Sequence, residues 1–207
     1  MTVNAPSEVS SLEALRARVR QLEGVRVHTR RERTGVPSID EHFGGLPRPA
    51  LVELNGSPGS GRTRVALSIA AQCTQRQERV AWVDLERDLY PPAFESFGVV
   101  SRRVLVVRPT HDRAEWAVDQ LVRSGCFPVV VVSGMAGMRR AGPRWSRACE
   151  LGRCTVLILR NAPDRRIPAT LRLQTAGDSL VVTRDRTNSH QRTAPLPVCP
   201  MAGDPWV

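Results

Sequence analysis

The chain has 207 residues, 41% hydrophobic and 4% aromatic, with 30 basic against 20 acidic side chains and a formal net charge of +10. That length and apolar content suit one packed domain and exclude wholesale disorder, and the lack of a long unbroken apolar run excludes a transmembrane helix. Five cysteines, an odd number without a C-x-x-C pair, point to reduced thiols in a cytoplasmic protein and against a zinc ribbon or disulfide scaffold.

The opening stretch, MTVNAPSEVSS, has no basic segment followed by an apolar one, so no secretory signal is expected, and residues 1–9 read as a loose tail. Ser10 with Glu13 makes a capping box ahead of Leu12, Leu15, Val19 and Leu22, which recur on one helical face as far as Gly24. A basic, extended arm follows, so residues 1–33 form an N-terminal appendage. From Thr34 short apolar runs alternate with amphipathic stretches. Strands are predicted at 51–55, 80–84, 104–107, 128–132 and 155–159, and helices at 62–76, 91–97, 112–123 and 139–150, with Asp112 as a helix cap. The unbroken valine run at 129–132 suits a strand buried on both faces. This alternation predicts an α/β core over 34–185, a mostly parallel sheet flanked by helices. Residues 170–174 and 179–184 flank the turn Thr175-Ala176-Gly177-Asp178 and predict a C-terminal β-hairpin added antiparallel to the sheet. Residues 186–207, rich in proline and polar groups, are expected to be disordered.

All the basic charge is arginine, because the chain contains no lysine; a bias that complete reads as compositional. From Arg16 to Arg33 there are seven Arg against two Glu, and from Arg139 to Arg166 eight Arg against Glu150 and Asp164. These stretches hold the whole excess of charge. They are candidate contacts for nucleic acid or an acidic partner, or else a solvated surface.

The segment Gly56-Ser57-Pro58-Gly59-Ser60-Gly61-Arg62-Thr63 follows a predicted strand and opens a predicted helix, the context of a phosphate-binding loop. Its glycines let successive backbone N–H groups turn inward around phosphate, and the helix N-terminus adds a favourable field. Thr63 would offer a hydroxyl to Mg²⁺. Arg62 stands where such loops carry lysine, and a guanidinium is longer, planar and needs more room than an ammonium. It can still neutralise phosphate, so weak ATP binding is compatible with the loop; hydrolysis, which depends on accurate charge placement, suffers most. The valine run ends in Ser133-Gly134, where a working site places an Asp to orient the metal's water shell, and a neutral hydroxyl cannot replace that charge. Glu86, in Asp84-Leu85-Glu86, could orient an attacking water or be a solvated loop acid. Without the metal carboxylate it is expected to be vestigial, and no cofactor is required.

In order and spacing these segments resemble the RecA family. The resemblance runs over residues 34–161. It takes in the lead-in Thr34-Gly35-Val36-Pro37-Ser38-Ile39-Asp40, then Gly44-Gly45-Leu46-Pro47-Arg48, the strand and loop to Thr63, and Trp82-Val83-Asp84-Leu85-Glu86. It implies a RecA-like phosphate-loop fold, with Glu86 in the place of the catalytic glutamate. Asn161 falls near the place of the nucleotide-sensing glutamine, one methylene shorter. Between Ser133 and Thr155 the chain is too short for the two long DNA-contacting loops that RecA carries. A short RecA-like chain with an N-terminal helix, a depleted site and a closing hairpin is similar to ImuA-type proteins. That likeness implies a non-catalytic accessory role in SOS-induced translesion DNA synthesis and mutagenesis. RecA and an ImuB-type polymerase-like protein would be its partners, and DNA a further contact. The open alternatives are an active RecA-like DNA-dependent ATPase, with another carboxylate such as Asp84 holding Mg²⁺, and a SulA-like inhibitor of cell division.

In the predicted basic helix Arg139, Arg140, Arg144 and Arg147 surround Trp145, which could stack on a base or a partner side chain, or simply cover the sheet. Trp116 is expected in the core. The four histidines are scattered without H-x-x-x-H spacing, so no metal site is expected.

Overall fold

The computed structural model describes residues 29–134, 141–187 and 193–197. The predicted N-terminal helix, Arg139 and Arg140 lie outside the described residues.

Three short elements precede the first core strand; the first lies in the arm expected to be extended, and the other two were not predicted. β1 (Arg30–Glu32) pairs antiparallel with β2 (Leu46–Arg48). Between them α1 (Pro37–Phe43) opens on proline and ends at Gly44, whose left-handed φ of 69° suits glycine. The Asp40 carboxylate accepts from the N–H groups of Thr34 and Gly35, at 2.7 and 2.8 Å, and so fixes the lead-in.

The alternating pattern then appears as expected. β3 (Ala50–Asn55), α2 (Arg62–Gln75), β4 (Val80–Asp84), α3 (Ala93–Ser96), β5 (Val104–Val107), α4 (Ala114–Arg123), β6 (Val129–Ser133), α5 (Ala141–Gly152) and β7 (Thr155–Arg160) follow one another along the chain. The last strands are β8 (Leu171–Ala176), β9 (Ser179–Asp185) and β10 (Thr193–Pro195). Together they build an eight-stranded sheet in the order β10-β9-β8-β3-β7-β6-β4-β5.

Three expectations are corrected. The hairpin joins the sheet parallel, not antiparallel: Leu171 of β8 lies beside Val52 of β3, and in this sheet β9 alone runs the other way, β10 being antiparallel to it. The connection after β7 returns the chain to the starting end of the sheet before β8 begins, where the Thr170 N–H donates to the Leu51 carbonyl. The C-terminal stretch contributes β10, in which Thr193 faces Val181 and Ala194 is buried; pairing satisfies the open edge of β9. Helix α4 starts from Arg113 rather than Asp112, with no side-chain cap.

Strand alternation splits the core into two layers. On one face Val52, Leu54, Trp82, Val131 and Leu157 pack against α1 and α2. On the other Leu51, Val83, Val130 and Ile158 pack against α4 and α5. Trp145 belongs to this second layer and is 0% exposed, which rules out the stacking role considered for it. It shares an inward helical face with Ala148, Cys149 and Gly152. A β-carbon at Gly152 would overlap the Val122 carbonyl, so glycine lets α5 close on α4 there. Trp116 is the reverse case: it is 55% exposed, on the side of α4 away from Ala114, Val118 and Val122. No helix among the described residues is long and apolar enough to cross a membrane.

Candidate functional site

The parallel strands deliver their carboxyl ends to one edge of the sheet, the edge at which open α/β sheets hold ligands. In register there lie Asn55 beside Arg160, Asp84 beside Ser133, and Ser133 beside Leu159. β3 runs directly into the glycine-rich loop, and the loop into α2. Gly59 and Gly61 hold φ of 80° and 89°, a left-handed conformation that glycine enters without a β-carbon clash. Gly61 is the N-cap of α2, a helix of 14 residues. Ser57, Pro58, Gly59 and Thr63 are exposed, whereas Gly56 is buried. This cradle can accept phosphate oxygens.

The cation of the loop does not point into open space. The Arg62 guanidinium donates to the Gly56 carbonyl at 2.8 Å and to the Asn161 side-chain oxygen. Arg62 also lies between two small hollows of about 170 and 200 Å³. Trp82, Leu89 and Ser133 line the first, and Glu86, Gly134 and Asn161 the second. Gly134 is needed there, because a β-carbon at that position would come within 2.6 Å of the Glu86 side chain. Glu86 is thus brought next to Gly134 and Asn161, and is exposed.

The metal side of the site is different. The buried Ser133 hydroxyl accepts from the Trp82 indole N–H at 3.4 Å. Asp84 sits beside it in register, fully buried, but its carboxylate is engaged by the Arg108 Nε at 2.9 Å. Arg108 also donates to the Leu89 carbonyl, so it is fixed in place. The residues therefore fit phosphate and do not fit a divalent ion: a hydroxyl replaces one acid, and a guanidinium neutralises the other. Among the described residues no group of three His, Cys, Asp or Glu could hold a metal.

Other arginines are committed to structural pairs. Glu53, in the middle of β3, is fully buried and accepts from the Arg172 Nε. Arg160 approaches it at 3.7 Å, and the Asp164 N–H donates to it at 2.9 Å. A carboxylate within an apolar strand needs such partners. Asp119 is shared between Arg123, at 2.9 Å, and a two-pronged contact from Arg144 at 3.0 and 3.1 Å. Burial works to raise the Asp119 carboxyl, but hydrogen bonds from Arg144 and Arg123 outweigh it and hold the group below its ordinary value. Of the five partner or DNA contact candidates, Arg144 is thus tied to α4 and Trp145 is in the core. Arg147 is exposed, and Arg139 and Arg140 fall outside the described residues.

The sequence reading missed Arg108, Arg172, and the contact of Thr175 with the glycine-rich loop, where its hydroxyl meets that of Ser60 at 2.6 Å. The buried acids Asp84 and Glu53 were the only signal: each sits in a strand otherwise apolar and requires a cation from elsewhere in the fold.

The profile of the RecA N-terminal domain matches residues 20–148, more than half of the chain. Protein RecA of Thioalkalivibrio sulfidiphilus is 40% identical over 97 residues, which are 46% of this chain and 28% of the relative. The plasmid RecA of Lactococcus lactis is 33% identical over 111 residues, 52% of this chain and 33% of the relative. Protein RecA of Thermus thermophilus is 38% identical over 97 residues, 46% of this chain and 28% of the relative. The match therefore spans about a third or less of these relatives' own length.

Proposed function

This chain belongs to the RecA N-terminal domain family, and we propose that it is a member whose nucleotide site serves docking rather than hydrolysis. The finer reading is an ImuA-type accessory protein of SOS-induced translesion synthesis, acting on RecA and on an ImuB-type polymerase-like partner, with DNA as a further contact. One observation carries the non-catalytic part: the strand end that should present a metal carboxylate presents Ser133, while the neighbouring acid Asp84 is neutralised by Arg108. Metal-assisted phosphoryl transfer needs that negative charge. A glycine cradle and a guanidinium remain, which suits weak, metal-independent nucleotide binding. The test is ATP turnover by the full chain with and without Mg²⁺ and single-stranded DNA. The expected result is no release of phosphate above background. Turnover that Mg²⁺ stimulates and Glu86→Gln abolishes overturns it.

The comparisons lean toward a second reading, an active RecA-like DNA-dependent ATPase. The relatives named above are RecA proteins, the matched domain includes the glycine-rich loop, and Thr63 and Glu86 are retained. The same assay decides between the two. Co-purification from cells under DNA damage tests the partners: recovery of RecA or a polymerase-like protein is expected, and recovery of neither removes the accessory role.

A further inference from the structure

We propose that β10 and the residue after it, Leu196, form a strap that holds the glycine-rich loop in shape, so that seating of the strap and occupancy of the loop are coupled. The coupling to occupancy rests on the reading of that loop as a phosphate site; the hold itself does not. Three contacts build it. The Leu196 N–H donates to the Asp178 carbonyl at 2.8 Å, in the turn between β8 and β9, and so extends the pairing of Pro195 with Ser179. The Leu196 side chain then lies against Gly61: a β-carbon there would be 3.1 Å from its Cδ1. From the strand before the same turn, Thr175 meets the Ser60 hydroxyl at 2.6 Å, and a β-carbon at Gly56 would overlap both hydroxyls.

Loop, hairpin turn and strap therefore interlock. Ser60 and Gly61 are gripped by Thr175 and Leu196, and both gripping residues are tied to one turn. A shift of Ser60–Arg62 around phosphate must displace Leu196 or Thr175, and release of the strap leaves Gly61 uncovered. Linkage makes such a coupling reciprocal. β10 is well placed for release. It is a three-residue edge strand with Thr193 and Pro195 exposed, and short edges of this kind open locally at low free energy.

Hydrogen exchange on the full chain tests this, with ATP in the absence of Mg²⁺ as the probe. Without ligand, Leu196→Ala is expected to speed exchange at the Ser60 amide, which donates to the Ser57 carbonyl, by about tenfold and to leave β3 and β7 unchanged. In the unsubstituted chain, ATP should slow exchange at both the loop and the Leu196 amide. If Leu196→Ala frees the strap while the Ser60 amide stays within about twofold of the parent, the hold is overturned. If ATP protects the loop but not Leu196, the coupling is overturned. If ATP protects neither, while Leu196→Ala still loosens the loop, the strap's hold is upheld and the phosphate-site reading falls. Should Leu196→Ala lose protection throughout, Thr175→Val applies the test from the other side: faster exchange at the Leu196 amide supports the interlock, and no change refutes it.

Discussion

The Arg62 guanidinium donates to the Gly56 carbonyl oxygen over 2.8 Å, so the last cation of the glycine-rich loop is turned back on the loop's first residue. Its other contact, the Asn161 side-chain oxygen, lies beyond β7. Both bonds come from one terminal nitrogen of the guanidinium, and a lysine ammonium, on a shorter side chain, would reach less far. The substitution thus changes where the loop's charge resides as well as its shape.

A compact cation in place of the guanidinium and a carboxylate in place of the hydroxyl should restore metal dependence. In the unsubstituted chain, ATP affinity is expected to agree within about twofold with and without Mg²⁺. With Arg62→Lys and Ser133→Asp combined, Mg²⁺ should tighten binding by about tenfold or more, since the new carboxylate can orient a hydrated metal. Isothermal titration reads both; a double variant indifferent to Mg²⁺ counts against the electrostatic account.

The two helix tryptophans should behave oppositely. Trp145→Ala removes a fully buried indole from the layer under α5 and should cost about 3–5 kcal/mol of stability. Trp116→Ala lies on the exposed side of α4 and should fall within about 0.5 kcal/mol of the parent. Urea denaturation followed by circular dichroism gives both values, and equal losses would mean that the helix faces are misassigned.

The ion pair of Glu53 and Arg172 is buried on both sides. Arg172→Met leaves a carboxylate in the sheet with the Asp164 N–H and the 3.7 Å approach of Arg160 to offset it, and a loss of about 3–5 kcal/mol is expected. Adding Glu53→Gln should recover most of that loss, because the stranded charge is then gone. A double variant no more stable than Arg172→Met would contradict this origin of the effect.

Asp119 should make the fold acid-sensitive. Its carboxyl is held below its ordinary value of 3.8 by Arg144 and Arg123 against the opposing effect of burial. A folded-state value below the unfolded one stabilises the protein above the unfolded value, and that stability drains away as pH falls through the folded one. Thermal melts should therefore show the parent losing its advantage over Asp119→Asn below pH 3.8. A constant difference across that range would exclude the linkage.

Thiol chemistry offers a further check. Burial, with Glu78 adding to it, pushes the Cys73 thiol up to about 12. A hydrogen bond with Cys154 and then burial push Cys149 up as well. Among the described cysteines only Cys126 is exposed. A thiol reagent at pH 8 should label Cys126 in the native chain and reach Cys73, Cys149 and Cys154 only on unfolding, as peptide mass mapping would show. Native labelling of Cys149 would refute its burial.

Strands β3 to β9 were legible in the sequence because each is a short run of apolar residues between turn residues, and the core helices because their apolar positions recur at helical spacing; β10, in a stretch rich in proline and polar groups, was not. The opening elements were not. Between residues 30 and 48 the apolar side chains are few: α1 is anchored by Ile39 and Phe43 alone, and its lead-in is fixed by Asp40, which gathers the N–H groups of Thr34 and Gly35. The orientation of the two tryptophans was readable in principle: Trp145 is in step with Ala148, Cys149 and Gly152, whereas Trp116 is out of step with Ala114, Val118 and Val122.

By itself the sequence determined the alternating core, the glycine-rich turn at the end of its first strand, and the loss of an acid at Ser133. These are local properties, written in backbone freedom, apolar spacing and side-chain charge. Only the tertiary structure decided what each charge does. Arg108 reaches Asp84 from 24 positions away, Asn161 receives Arg62 from 99 away, and Arg172 meets Glu53 from 119 away. An arginine-rich sequence offers many possible partners for each acid, and the register of the parallel strands selects among them by placing particular side chains at the same edge.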